Sequence, residues 1–224
     1  MGILENLQKI KKSIPEDTVL VAVSKTKPAE MILELYHAGH KDFGENKVQD
    51  LVAKHEQLPG DIQWHMIGHL QSNKVKYIAP FVHLIHGVDS LKLLGIVNKE
   101  AVKNDRVLSC LLQVHIAEES SKFGLNEEEI LGLLSSEEFL GMHNIAIRGL
   151  MGMATFTENS ERVRKEFQNL KCIFEKVKEN YFRDDPAFSV LSMGMSGDYP
   201  IAIEEGSNML RVGSLIFGPR NTTF

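Results

Sequence analysis

Lys25, Ser196 and Ser214 are the residues whose type and surroundings first suggest chemistry. Lys25 follows the apolar run VLVAVS at 19–24. An amine at the end of a buried strand, its stem packed on apolar neighbours, can attack a carbonyl carbon if it is neutral. With an ordinary pKa of ~10.4, only about one free lysine in 2,500 is neutral at pH 7, so burial or nearby positive charge must help. Lys27 stands two residues on, and Pro28 puts it in the loop. From position alone, a solvated strand-end lysine is the favoured reading of Lys25.

Ser196 lies in GMSGD (194–198) and Ser214 follows Gly213. Glycines let backbone amides approach an anion closely, and each hydroxyl adds a donor, so the two segments suit a phosphate. GMSGD reads equally well as a tight strand-to-helix turn.

His65 and His69 in HMIGH have the spacing of two metal ligands on a helix. The segment reads as a strand, where four residues span roughly 13 Å, too far for one ion. His83 and His86, three apart in a strand, are expected on opposite faces. Without a completing carboxylate or cysteine cluster, no metal site is expected. GxSxG, phosphate-loop and dinucleotide glycine motifs are absent from the sequence. Cys110 sits in an apolar run and Cys172 in a helical pattern, so no disulfide framework is expected.

The elements that must position these residues come from the apolar pattern. Eight candidate strands are 19–24, 41–44, 62–67, 82–87, 107–114, 145–151, 188–192 and 209–212. The first, an uninterrupted apolar run, suits a strand buried on both faces. Helical patterns alternate with the candidate strands. Ile3, Leu7, Ile10 and Ile14 share one face of a first helix that Pro15 stops. Pro28 opens a second helix, which Gly39 ends. Asn126 and Glu129 have the spacing of a capping box, and Val163, Phe167, Leu170, Phe174, Val177 and Tyr181 form a long stripe. This alternation predicts one (β/α)₈ barrel over residues 1–224, with an extra N-terminal helix; an open doubly wound sheet is the rival.

In such a barrel the site lies at the C-terminal strand ends. That rule selects Lys25, Glu45 and Asn46, Gly68 and His69, the loop 118–124, Gly152 and Met153, the segment 194–198, and Gly213 with Ser214. Strands seven and eight are where barrels often hold phosphate, through loop amides and a helix N-terminus.

The 224 residues are 43% hydrophobic and 25% charged, with net charge -5, which excludes general disorder. The mild acidic balance and thinly spread basic residues give no support to nucleic-acid or anionic-membrane binding. No apolar run reaches the ~18 residues of a membrane span, and the N-terminus resembles neither signal nor anchor. A cytoplasmic protein is expected.

The segments VAVSKTKP (21–28), FGENKVQD (43–50), WHMIGHLQSNK (64–74), ESSKFG (119–124), RGLMGM (148–153), LSMGMSGDYPIAIEEGS (191–207) and MLRVGSLIFGPR (209–220) resemble the pyridoxal phosphate homeostasis family. This family is also called the proline-synthase co-transcribed proteins and is similar to the barrel domain of alanine racemase. The resemblance covers nearly the whole chain in order. It implies a barrel that binds pyridoxal 5′-phosphate, held as an internal aldimine on Lys25 rather than Lys27. It also implies that Ser196, Gly213 and Ser214 bind the phosphate, Arg211 faces the pyridine nitrogen, and Asn46 lines the pocket. Ser214 replaces the family's commoner threonine and keeps the hydroxyl, and His69 stands where many relatives have proline.

Two functions follow from the resemblance. One is a carrier that buffers pyridoxal phosphate and hands it to apo-enzymes, sustaining vitamin B6 and amino-acid balance without turnover. The chain ending at 221–224, soon after strand eight, leads us to expect no second racemase domain, no opposite catalytic base, and a monomer. The alternative is a single-domain racemase or related enzyme, with Lys25 as one base and Lys122 or His69 as the other.

Overall fold

The computed structural model describes residues 2–117 and 123–219. Eight parallel strands pair in sequence order, and the last returns to the first, closing a barrel. They are β1 (Val19–Val23), β2 (Asp42–Glu45), β3 (Gln63–Met66), β4 (Leu84–Val88), β5 (Leu108–Val114), β6 (Ile145–Gly152), β7 (Val190–Ser192) and β8 (Met209–Val212). The closed barrel, not the open sheet, is the fold.

Closure is written in the β1–β8 register, where Val19 pairs with Met209, Leu20 with Leu210, Val21 with Arg211 and Ala22 with Val212. Alternate side chains of one strand then serve two different cores. Val21, Leu84, Leu111, Met151 and Met209 fill the barrel interior, with Val19 packed against them. Leu20, Ala22, Phe43, Trp64 and Leu210 face the surrounding helices instead. Both faces of β1 are thus dry, which is why its sequence shows no polar alternation.

The helices are α1 (Ile3–Lys12), α2 (Ala29–His37), α3 (Val48–Gln57), α4 (Val75–Ile78), α5 (Leu91–Lys103), α6 (Glu127–Leu134), α7 (Glu137–Leu140), α8 (Ser160–Tyr181), α9 (Tyr199–Glu204) and α10 (Ser214–Phe217). In α1, Leu7 and Ile10 are buried, and Asn6 Nδ2 donates to the Ile216 carbonyl at 3.0 Å, tying the helix to α10. Ile14 lies beyond the helix end and is half-buried. The Asn126 capping box forms: Glu129 N donates to Asn126 Oδ1 at 2.9 Å, and Asn126 N to Glu129 Oε2 at 2.8 Å. Along α8 the buried stripe runs from Val163 to Val177. Tyr181, expected to continue it, is exposed and its hydroxyl meets Ser135 Oγ at 2.7 Å. Among the described residues, no helix is long and apolar enough to cross a membrane.

Candidate functional site

Lys25 lies two residues beyond the end of β1, whose Val19 and Val21 face the barrel interior, and is half-buried. It occupies a turn closed by Lys27 N donating to the Ser24 carbonyl at 3.0 Å. Thr26, the third residue of that turn, has φ 64. A β-branched residue in the left-handed region costs about 1–2 kcal/mol, so the surrounding structure holds this turn against its preference.

Part of that hold lies behind the strand. Ser24 Oγ donates to Glu45 Oε1 at 2.7 Å, while Lys54 Nζ of α3 donates to Glu45 Oε1 at 2.5 Å and to the Ser24 carbonyl at 2.8 Å. Glu45 is fully buried, which pushes its carboxyl above the ordinary range, with Lys54 opposing the shift. Its Oε2 meets no partner among the described residues. The sequence placed Glu45 with Asn46 beyond the strand; Glu45 instead ends β2, and its side chain bonds to Ser24 and the helix layer. Asn46, one residue on, is half-buried at the strand end. The β3 end packs on it so closely that a Cβ on Gly68 would lie 2.4 Å from the Asn46 carbonyl oxygen, so only glycine fits there.

The turns after β7 and β8 meet. Gly194 has φ 94, and a Cβ there would stand 2.6 Å from the Ala202 Cβ, which explains glycine at the first position of GMSGD. Met195 N donates to Asp198 Oδ1 at 2.6 Å, fixing the turn. Gly213 N donates to Ser196 Oγ at 3.3 Å. The hydroxyl thus accepts an amide and keeps its own proton for another acceptor. Ser214 opens α10 and is exposed.

A Cβ on Gly213 would lie 3.1 Å from the Val23 carbonyl oxygen, so the β8 end lies directly against β1. Lys25 therefore stands beside the serine–glycine cradle rather than across the mouth from it, because closure makes β1 the neighbour of β8.

Arg211 follows Met209 on the inward series of β8 and is 4% exposed. Its Nη1 donates to Ser192 Oγ at 2.6 Å and its Nη2 to the Gly152 carbonyl at 2.9 Å. Burial brings its pKa down to about 10, and Asp198 pulls the other way. Burial also raises the Asp198 carboxyl, opposed by the Met195 amide and Arg211.

On another part of the rim, His69 Nδ1 lies 3.2 Å from Asp89 Oδ2, and its ring stacks on Phe123 with centroids 4.1 Å apart. Lys122 and most of the loop 118–124 lie outside the described residues. Ser192 and Lys54 had not been singled out as site residues, although Ser192 stands two residues before Gly194 on an inward series. The paired His65 and His86 were missed too, since only spacings within one strand were weighed. Their rings approach at 2.9 Å between Nδ1 and Nε2. His83, expected opposite His86, has its ring centroid 5.4 Å from that of His65. It precedes β4, so strand alternation does not govern it.

The sequence profile of the alanine racemase N-terminal domain matches residues 2–221. A pyridoxal phosphate homeostasis protein of Aquifex aeolicus is 41% identical over 202 residues, covering 90% of this chain and 86% of the relative. The chain belongs to the pyridoxal phosphate homeostasis protein family. A member from Haemophilus influenzae is 36% identical, covering 99% of this chain and 97% of the relative. PipY of Synechococcus elongatus, solved with pyridoxal phosphate bound, superposes with TM-score 0.87 at 32% identity over 97% of this chain and all of that one. Alanine racemase of Enterococcus faecalis shares the fold, with TM-score 0.71 at 16% identity, this chain spanning 59% of it. Within the homeostasis family, then, Lys25, Ser196, Arg211 and Gly213 are gathered at one end of one barrel.

Proposed function

We propose that this chain binds pyridoxal 5′-phosphate at the barrel mouth and serves cofactor homeostasis rather than turnover of a substrate. The observation that carries this reading is the hydrogen bond from Gly213 N to Ser196 Oγ, formed where β8 lies against the strand that ends in Lys25. The names borne by relatives at 36–41% identity support it as well.

The residues present fit the group. Lys25 would take the aldehyde end. The Ser196 and Ser214 hydroxyls would hold the phosphate, the Gly213 amide would exchange Ser196 Oγ for a phosphate oxygen, and Asn46 would wall the pocket. Arg211, already buried as a cation, would face the ring nitrogen. When bound, the cofactor supplies an aldehyde that condenses with amines and a ring that, once protonated, draws electrons from an attached carbon.

With a pKa of about 10, Arg211 keeps its proton at pH 7 and would donate to the ring nitrogen of a bound cofactor without surrendering it. A ring faced by such a donor stays unprotonated and is a weak electron sink, which suits holding over transforming. The enzymes that use this cofactor are, on this reading, its recipients, and the described barrel acts as one domain.

Two measurements test the reading. Apoprotein titrated with pyridoxal phosphate should take up one equivalent with a new visible absorbance band. In heavy water, alanine and serine should exchange their Cα hydrogens no faster than with free cofactor. Enzyme-rate exchange that disappears in Lys25→Ala would favour the racemase instead.

A further inference from the structure

The barrel interior holds a polar line that neither the phosphate cradle nor Lys25 requires. It begins at Arg211, whose Nη1 donates to Ser192 Oγ at 2.6 Å. Ser192 Oγ lies 3.4 Å from His86 Nδ1, His86 Nε2 lies 2.9 Å from His65 Nδ1, and His65 Nε2 lies 3.1 Å from Asp42 Oδ1. The five residues come from β8, β7, β4, β3 and β2. Asp42 is the first residue of its strand, and Arg211 is the last but one of β8. The line thus runs along the barrel from its far end to the candidate site.

Its hydrogens can be assigned from chemistry alone. A guanidinium only donates, so Ser192 Oγ accepts from Arg211 and has one hydrogen left to give. The Asp42 carboxylate only accepts, so His65 Nε2 carries a hydrogen. With one hydrogen on each ring, His65 Nδ1 and His86 Nδ1 are then the bare nitrogens, and Ser192 gives its hydrogen to His86 Nδ1. His86 Nε2–H donates to His65 Nδ1, and His65 Nε2–H donates to the Asp42 carboxylate, which only accepts. Every member passes a donor onward, from a buried cation to an anion, with both imidazoles neutral.

We propose that His86, through Ser192, is a positioning residue for Arg211, and that His65 and Asp42 complete the line that sets the guanidinium's direction before any cofactor arrives. This rests on the reading that Arg211 faces the ring nitrogen. An arginine side chain has many rotamers, and a donor fixed in advance loses less freedom on binding. Removing a link leaves the buried cation held by the Gly152 carbonyl alone, with more freedom to turn.

The surroundings keep His86 neutral. Burial lowers its pKa well below the ordinary value, and the neighbouring His65, Arg211 and His83 act in the same direction. His65 itself faces Asp42 and His40 from β2 and its flank, and His83 and His86 from β4 and its flank. Arg106 and Arg148 lie near His83.

The test needs no cofactor. In apoprotein labelled with ¹⁵N-histidine and ¹⁵N-arginine, NMR at pH 7 should find His65 and His86 as neutral Nε2–H tautomers. Restricted rotation should give Arg211 separate Nη signals. His86→Leu should merge those signals, and His86→Gln, which can accept and donate in the same places, should restore them. If His86→Leu does not fold, Ser192→Ala gives the same comparison with one hydroxyl removed.

In the loaded protein, the pH profile of the visible band should shift by about half a unit or more in Ser192→Ala and stay near the parent in His86→Gln. A protonated or Nδ1–H His86, or Arg211 signals still separate in a folded Ser192→Ala or His86→Leu variant, would overturn the proposal. A parent protein that takes up no pyridoxal phosphate would overturn the site reading, and the apoprotein signals would still decide whether the line holds Arg211.

Discussion

The amide of Gly213 donates to the hydroxyl of Ser196 across 3.3 Å, joining the turn after β7 to the turn after β8. The two lie 17 positions apart in sequence. Their meeting depends on Gly194 at φ 94 turning the chain sharply, with no room there for a side chain, and on β8 seating against β1. The Ser196 hydroxyl is thereby fixed by the amide, with its own hydrogen left for an acceptor beside Lys25.

That arrangement makes retention of pyridoxal phosphate sensitive to single hydroxyls. Ser196→Ala and Ser214→Ala should each weaken retention by roughly ten- to hundredfold, since a hydrogen bond to a charged group is worth about 1.5–3 kcal/mol. Equilibrium dialysis of the apoprotein variants measures this. Unchanged retention in both would place the phosphate elsewhere.

The buried link behind Lys25 predicts a stability effect. Lys54 is 11% exposed and Glu45 0%, and their atoms lie 2.5 Å apart. Lys54→Met removes the cation and leaves a buried carboxylate, a change that typically costs about 3–5 kcal/mol. The double variant Lys54→Met with Glu45→Gln should recover most of the loss in urea unfolding. A single variant as stable as the parent would mean that the pair does not brace the β1 and β2 ends.

Two histidines set the expected acid response. Burial, helped by Lys11, lowers His40 to about 4, and burial holds His86 well below its ordinary value. Unfolded imidazoles titrate near ~6.5, so between that value and the folded ones the unfolded chain binds more protons. Stability contributed by these groups is full above about 6.5 and falls as the solution is acidified toward 4. The slope is about 1.4 kcal/mol per pH unit for each such histidine. Urea midpoints at pH 7, 6 and 5 measure it, and His40→Phe should flatten the decline. A midpoint independent of pH over that range would contradict the assigned shifts.

Double burial writes β1 as an apolar run, and strands such as β2, which holds Asp42 and Glu45, were legible from their alternation with helical patterns. The placement of Lys25, Ser196, Gly213 and Ser214 at strand ends was legible because strand ends and glycine-flanked hydroxyls are local features. Relations between strands were not. The Lys25 position beside the cradle follows from the β1–β8 pairing, which no local pattern encodes. His65 was weighed only against His69, and His86 only against His83; the two become partners when β3 and β4 align. A shift of one residue at the end of β2 turned Glu45 from an expected rim residue into part of the outer wall.

The most direct measurement is reduction of the pyridoxal phosphate complex with borohydride, followed by peptide mass spectrometry. One pyridoxyl adduct is expected, on Lys25, and it should be missing from Lys25→Ala while Lys27→Ala still forms it. An adduct on Lys27 or another lysine, or a protein that forms none with added cofactor, would contradict the site described for this barrel.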